Sequence, residues 1–227
     1  KISCIGKNST GQLGNGTLDD SPDKVVGVNV LSSVKGLSVG ARSSCAITQR
    51  GTVSCWGGND GGVLGTGKPG TLQSLTPITV AEVTSAAQID NGLRFGCAVE
   101  KTGELKCWGD NTHGQLGDGT KRPSREAKVV SVGDVVSVAT GPEFACAAKK
   151  DGRVACWGKN DGGQLGNKGK GSTKAIPVPG IDDAVEVTAG AKHACARKRS
   201  GGVVCWGNNE FGQLGGGMGD KSGVVKV

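Results

Sequence analysis

The chain has 227 residues, 42 of them glycine, nine cysteine and four tryptophan, with aromatics at 3% and no tyrosine. So few large side chains cannot fill one central core, which excludes a conventional single-core globule and favours many small cores joined by glycine turns. No stretch of 18 apolar residues occurs, so no transmembrane segment is expected, and the formal charge of +7 comes without the exposed aromatics that base stacking needs, so no specific nucleic acid partner is expected.

In chain order, the first recognisable word is CIGKNSTGQLGNGT from Cys4, followed by the β-prone DKVVGV. VKGLSV then leads through Gly40 into SSCAI around Cys45, a turn ending at Gly51, CWGGNDGGVLGTG from Cys55 and TPITVA. The same order returns as AAQID, Gly92, FGCAV around Cys97, Gly103, CWGDNTHGQLGDGT from Cys107 and AKVVSV. A third pass runs VVSVAT, Gly141, FACAA around Cys146, Gly152, CWGKNDGGQLGNKG from Cys156 and AIPVPG. A fourth runs AVEVTA, Gly190, HACAR around Cys195, Gly201, CWGNNEFGQLGGG from Cys205 and GVVKV.

Ile5, Trp56, Trp108, Trp157 and Trp206 follow one another at steps of 49–52 residues, the mark of a repeat array or propeller. Each full repeat offers four short strands and no helical periodicity. The fold class is therefore all-β, a β-propeller of four-stranded blades. One propeller domain over residues 1–227 is expected, divided into repeats 1–33 (partial), 34–85, 86–134, 135–183 and 184–227 (partial). The first residues show no charged-then-apolar leader and open in mid-repeat, so the chain reads as processed, trimmed or partial.

Two cysteines stand ten residues apart in each full repeat, on either side of a glycine turn. A β-hairpin with glycine at the bend sets them opposite one another, within disulfide reach. Four bridges are expected: Cys45–Cys55, Cys97–Cys107, Cys146–Cys156 and Cys195–Cys205. Buried free thiols are the alternative. No close C-x-x-C pair suggests zinc, and no metal or other cofactor is expected. Cys4 is the ninth and is expected unpaired, in an open arc whose free edge is covered by further blades or another chain. Disulfides in every repeat place the protein outside the cytoplasm: extracellular, at the cell surface or periplasmic.

The repeated words themselves read as structural, because a catalytic residue is needed once and a blade residue every time. Asn8, Asn59, Asn111, Asn160 and Asn209 suit a turn whose backbone groups need bridging. Leu13, Leu64, Leu116, Leu165 and Leu214 anchor the next loop, and each tryptophan is expected to pack on the neighbouring repeat. The sequons at Asn8 and Asn15 carry meaning only in a eukaryotic secretory setting.

The string W-G-x-N-x-x-G-Q-L-G, preceded by G-x-x-x-x-C-A and a G-x-V hairpin, resembles the regulator of chromosome condensation repeat. The resemblance spans essentially the whole chain, in five copies. It implies a seven-bladed β-propeller with blades of about 50 residues, and the paired cysteines look like those of secreted bacterial members. That family includes small-GTPase exchange factors, chromatin binders, photoreceptors and β-lactamase inhibitors, so fold alone does not settle function.

Candidate binding residues lie where the copies differ, just before the cysteine strand: Arg42 and Ser43, Arg94 and Phe95, Glu143 and Phe144, Lys192 and His193. They are expected around one mouth of the propeller, where arginine and aromatic anchors suit a partner. His113 reads as an isolated residue of a solvent loop. No catalytic set is visible, and no enzyme activity is expected. The function expected is a non-catalytic extracytoplasmic module that engages a protein or glycan. The alternative is a regulator of an enzyme, such as a guanine-nucleotide exchange factor for a small GTPase or an enzyme inhibitor.

Overall fold

The computed structural model describes residues 1–29, 31–217 and 224–226. Its first sheet has two strands, β1 (Ser3–Gly6) and β2 (Ser21–Gly27). Four four-stranded sheets follow. The first comprises β3 (Val34–Val39), β4 (Ser43–Thr48), β5 (Val53–Gly58) and β6 (Gln73–Thr79). The second comprises β7 (Ala86–Asn91), β8 (Phe95–Glu100), β9 (Leu105–Gly109) and β10 (Ser124–Val129). The third holds β11 (Val135–Thr140), β12 (Phe144–Lys149), β13 (Val154–Gly158) and β14 (Ser172–Pro177). The fourth holds β15 (Ala184–Ala189), β16 (His193–Lys198), β17 (Val203–Gly207) and β18 (Val225–Lys226). In each, strands pair in chain order, which is the topology of a propeller blade. Gly223 and Val227 of the terminal GVVKV lie outside the described residues.

The chain divides into two compact units. The first holds residues 1–101, 106–110 and 123–128, and the second residues 102–105, 111–122 and 129–227.

The central hairpin of each blade is set by its cysteines. Cys45 faces Cys55, Cys146 faces Cys156 and Cys195 faces Cys205 across the ladder. All four expected bridges form, with Cα–Cα separations of 4.0–4.1 Å. Cys4 on β1 is free. At the hairpin bend Gly152 has φ +84°, and a β-carbon there would collide with the Asp182 carbonyl. Only glycine combines that handedness with so close an approach.

Cys156 and Trp157 are adjacent on β13, so they point to opposite faces, yet both are fully buried. Each central strand is therefore covered on both sides. On the cysteine face, Cys45, Ile47 and Cys55 cluster with Ala86, Ile89 and Ala98 of the following repeat. In the second unit, Cys146, Ala148 and Cys156 cluster with Ala184, Val187 and Ala194. On the other face each tryptophan packs back onto the preceding repeat. Trp56 Nε1 donates to the Gln12 carbonyl at 2.9 Å, and Trp108 Nε1 to that of Val63 at 2.7 Å. Trp157 and Trp206 do the same to Gln115 and Gln164, each at 2.9 Å. The second glycine of the Gly-Gln-Leu-Gly word makes room for the ring: a β-carbon at Gly117 would lie 2.9 Å from Trp157 Nε1.

The repeated asparagines staple the loop behind each tryptophan. Asn111 Oδ1 accepts from Leu116 N at 3.0 Å, while its Nδ2 donates to the carbonyls of Thr120 and Arg122 at 3.2 and 3.1 Å. Asn8, Asn59, Asn160 and Asn209 make the same bond to the leucine five residues on, at 2.8–3.0 Å. This corrects the reading of Asn8 as a sequon: its side chain is fully buried and consumed by these bonds.

Candidate functional site

Between the first and second strand of every blade the chain reverses in a four-residue turn. Gly40 N donates to Ser43 O at 2.8 Å, Gly92 to Phe95 at 2.9 Å, Gly141 to Phe144 at 2.8 Å and Gly190 to His193 at 2.9 Å. Arg42, Arg94, Glu143 and Lys192 each stand third in such a turn. Their carbonyls are held from the side by the residue after Cys-Trp-Gly. Gly58 N donates to Arg42 O at 2.8 Å, and Asp110 N, Lys159 N and Asn208 N donate to Arg94, Glu143 and Lys192 at 2.9 Å. The backbone of each tip is thus fixed by main-chain bonds that any side chain leaves intact. Arg42, Arg94 and Lys192 point into solvent and Glu143 is half-buried. Charges at these tips vary on a common backbone frame.

Arg42, Ser43, Arg94 and Phe95 belong to the first unit, and Glu143, Phe144, Lys192 and His193 to the second. Within this set the expectation of surface aromatics is corrected. Phe95 and Phe144 are 0% exposed and Ser43 is 1% exposed. They open the cysteine strands with their side chains tucked beneath the turn; the Phe144 ring lies directly against Gly141, leaving no room for a β-carbon there. His193 takes the same slot over Gly190, half-buried, and burial pushes its pKa down. These four side chains support the tips, and the solvent-facing chemistry falls to Arg42, Arg94, Glu143 and Lys192.

His113 is also corrected. Its Nε2 sits 3.4 Å from Glu143 Oε1, and Lys159 Nζ lies 2.7 Å from Glu143 Oε2 and 3.3 Å from Asp161. The hydrogen bond to Glu143 raises the Lys159 pKa. Two repeats therefore meet at one tip, where His113 lies beside a short row of charges. The sequence carried a signal for this that the tip residues alone did not use. His113 stands second after its asparagine, in the slot held elsewhere by Thr10, Gly61, Gly162 and Phe211, and this slot varies as the tips do. Thr10 Oγ1 donates to Arg42 O at 3.1 Å. Phe211 is 81% exposed.

Among the described residues no group of three or more His, Cys, Asp or Glu is placed to hold a metal ion, and no helix is long and apolar enough to cross a membrane.

Antiparallel four-stranded blades, disulfide-stapled and stacked through tryptophan, define a β-propeller whose variable side chains sit on hairpin tips. The signature described as "Regulator of chromosome condensation (RCC1) repeat" matches residues 34–67, 87–115, 135–164 and 184–213, and a second signature of that description matches 102–148 and 151–197. The chain belongs to this repeat family. It is 33% identical over 128 residues to the probable E3 ubiquitin-protein ligase HERC6 of Homo sapiens, covering 55% of this chain and 12% of that protein. It is 34% identical over 125 residues to the ultraviolet-B receptor UVR8 of Arabidopsis thaliana, covering 52% and 28% respectively. The aligned stretch thus spans under a third of either relative. Among solved structures, human WBSCR16 superposes with a TM-score of 0.85 at 23% identity, over 99% of this chain and 62% of that one. Yeast RCC1 (Prp20), solved with Kap60, superposes with a TM-score of 0.84 at 22% identity, over 99% and 57%. These likenesses define the fold.

Proposed function

We propose that this chain is a non-catalytic interaction module that works outside the cytoplasm and engages a protein partner through its hairpin tips. The observation that carries the reading is the contrast at Arg42, Arg94, Glu143 and Lys192: identical backbone anchoring, different side chains. A structural position repeats its residue; a recognition position keeps its frame and changes its chemistry. Guanidinium and ammonium groups on rigid turns favour an acidic protein surface, with Phe211 as an exposed aromatic anchor. The repeats 1–33, 34–85, 86–134, 135–183 and 184–227 act in this reading as one propeller domain. Four bridged hairpins support an oxidising compartment, since such pairs do not persist in a reducing cytosol.

Site-specific photo-crosslinking tests the reading. A benzophenone side chain replacing Arg94 or Lys192 is expected to capture a discrete protein from cell-surface or periplasmic material. The same group at Lys121 or Lys168, in the loops after β9 and β13, is expected to capture none. Capture only from those loops would move the site there.

A further inference from the structure

Strand β1 has the register of the third strand of a blade. Cys4 stands opposite Val26 as Cys55 does opposite Ile78, Cys156 opposite Ile176 and Cys205 opposite Val225. In the four-stranded sheets that strand has a neighbour on each side, and the second neighbour brings the cysteine that closes the bridge. Among the described residues β1 has β2 alone. Val28 N donates to Ile2 O at 3.1 Å. The alternation of an antiparallel ladder therefore turns the main-chain groups of Ile2 and Cys4 toward β2, and those of Ser3 and Ile5 toward the open side. In β13 the matching residues, Ala155 and Trp157, face Ala147 and Ala145 of β12.

Leu37 of β3, on the next sheet, lacks the cover that its counterparts have. Leu37, Ile89, Val138 and Val187 each pair with the alanine that follows the first cysteine of their blade. Ile89, Val138 and Val187 are 6%, 1% and 5% exposed, whereas Leu37 is 56% exposed. Ile89 clusters with Cys45 and Cys55, and Val187 with Cys146 and Cys156. The bridge of one repeat thus lies in the cluster that buries the aliphatic residue of the next. Ahead of Leu37 stands Cys4, packed against Ile2, Ala46 and Trp56 but holding only one half of such a bridge.

We propose that the open side of β1 takes an antiparallel strand of a partner polypeptide, and that a cysteine of this strand, set between two small residues, bridges to Cys4 over Leu37. The four strands that fill this place elsewhere define the chemistry: they read Ser-Cys-Ala, Gly-Cys-Ala and twice Ala-Cys-Ala. The other eight cysteines of this chain are bridged, so the partner supplies the sulfur. Main-chain bonds to Ser3 and Ile5 set the register, as in strand addition generally, and the cysteine gives selectivity. The covalent step is a thiol–disulfide exchange. The Cys4 thiolate attacks the partner cysteine, which is held as a mixed disulfide with a small thiol. The bond between Cys4 and the partner sulfur forms, the bond to the small thiol breaks, and the small thiol leaves with the proton that Cys4 gave up. Burial pushes the Cys4 pKa up, which keeps it slow toward disulfides that do not dock. This surface shares no residue with the hairpin tips.

The test uses the full chain and a synthetic hexapeptide with the β12 sequence, Phe-Ala-Cys-Ala-Ala-Lys, its cysteine carried as the 2-pyridyl disulfide. Release of pyridine-2-thione, followed by absorbance, is expected to reach one equivalent, with a mass adduct that Cys4→Ser does not form. A peptide with proline in place of both alanines beside the cysteine loses two main-chain donors and is expected to react about tenfold more slowly. In the adduct with the first peptide, hydrogen exchange of the Ser3 and Ile5 amides is expected to slow by about tenfold, as for amides newly bonded in a ladder. The proposal fails if the two peptides react at the same rate, or if the adduct leaves those two amides exchanging as before. It fails equally if Cys4 is consumed in a disulfide-linked dimer of this chain in preference to the peptide.

Discussion

Glu100, at the end of β8, is a carboxylate 4% exposed in a protein with thin aromatic packing. Burial alone would raise its pKa, but the Ser85 hydroxyl, the Thr84 and Ser85 amides and Lys106 together hold it below the ordinary value. Ser85 N donates at 2.8 Å, and Lys106 Nζ lies 3.4 Å away. A carboxyl group whose folded pKa is depressed contributes stability that is present above its unfolded pKa and is lost as pH falls through the folded one. Glu100→Gln keeps the shape and removes the charge, so it is expected to lower stability at neutral pH by about 2–3 kcal/mol. The gap between parent and variant should close as pH drops below about 4. Urea midpoints across that pH range check this, and a constant gap would assign the effect to packing. Asn111 makes a second case at this scale: Asn111→Ala strands Leu116 N and two loop carbonyls, at an expected cost of about 2–3 kcal/mol in the same measurement.

At the scale of the element, the unit is the hairpin carrying a cysteine on each strand and an anchored turn at its base. Replacing Cys146 and Cys156 together by serine opens a loop of sequence separation 10, expected to cost about 2–3 kcal/mol. Burial of two hydroxyls in a cluster with Val187 and Ala194 adds to that. The tips should behave in the opposite way. Arg94 is tied to its blade through its carbonyl, which accepts from Asp110 N at 2.9 Å, so Arg94→Glu is expected to move the thermal midpoint by no more than about 0.5 kcal/mol equivalent. The same substitution should weaken partner capture. Phe95→Ala, by contrast, empties a fully buried site and is expected to cost about 3–5 kcal/mol, measured by denaturant titration. A binding variant that alters Phe95 would therefore confuse binding with folding.

For the whole molecule, the cysteines are the reporter. Eight are bridged and one, Cys4, is free with a pKa raised by burial. Native protein isolated without reductant is expected to take up one equivalent of an alkylating agent, slowly at neutral pH and faster at alkaline pH as the thiolate forms. Intact-mass spectrometry reads the count directly. Uptake approaching nine would contradict both the bridged hairpins and the extracytoplasmic placement. Because the bridges sit in small cores shared between neighbouring repeats, reduction should loosen every repeat.

Much of this protein was legible before any coordinate, because repetition shows the same physical demand several times. The ten-residue cysteine spacing around a glycine pointed to a hairpin, and bridged pairs, with buried free thiols as the alternative, followed from it. The recurring asparagine marked a loop whose amides needed a partner, and its Oδ1 supplied one to the N–H of the leucine five residues on. Local geometry and hydrogen-bond need determined those features, and both are encoded within a few residues. What tertiary structure decided was direction. Arg94 and Phe95 are adjacent in sequence, yet Phe95 is fully buried, as is Phe144 at the same place in the next repeat, while Arg94 is exposed. Where a side chain follows a turn, its burial depends on the packing above the adjacent glycine, which no spacing rule carries. His113 met Glu143 for the same kind of reason: residues 30 apart became neighbours only when one repeat was laid against the next.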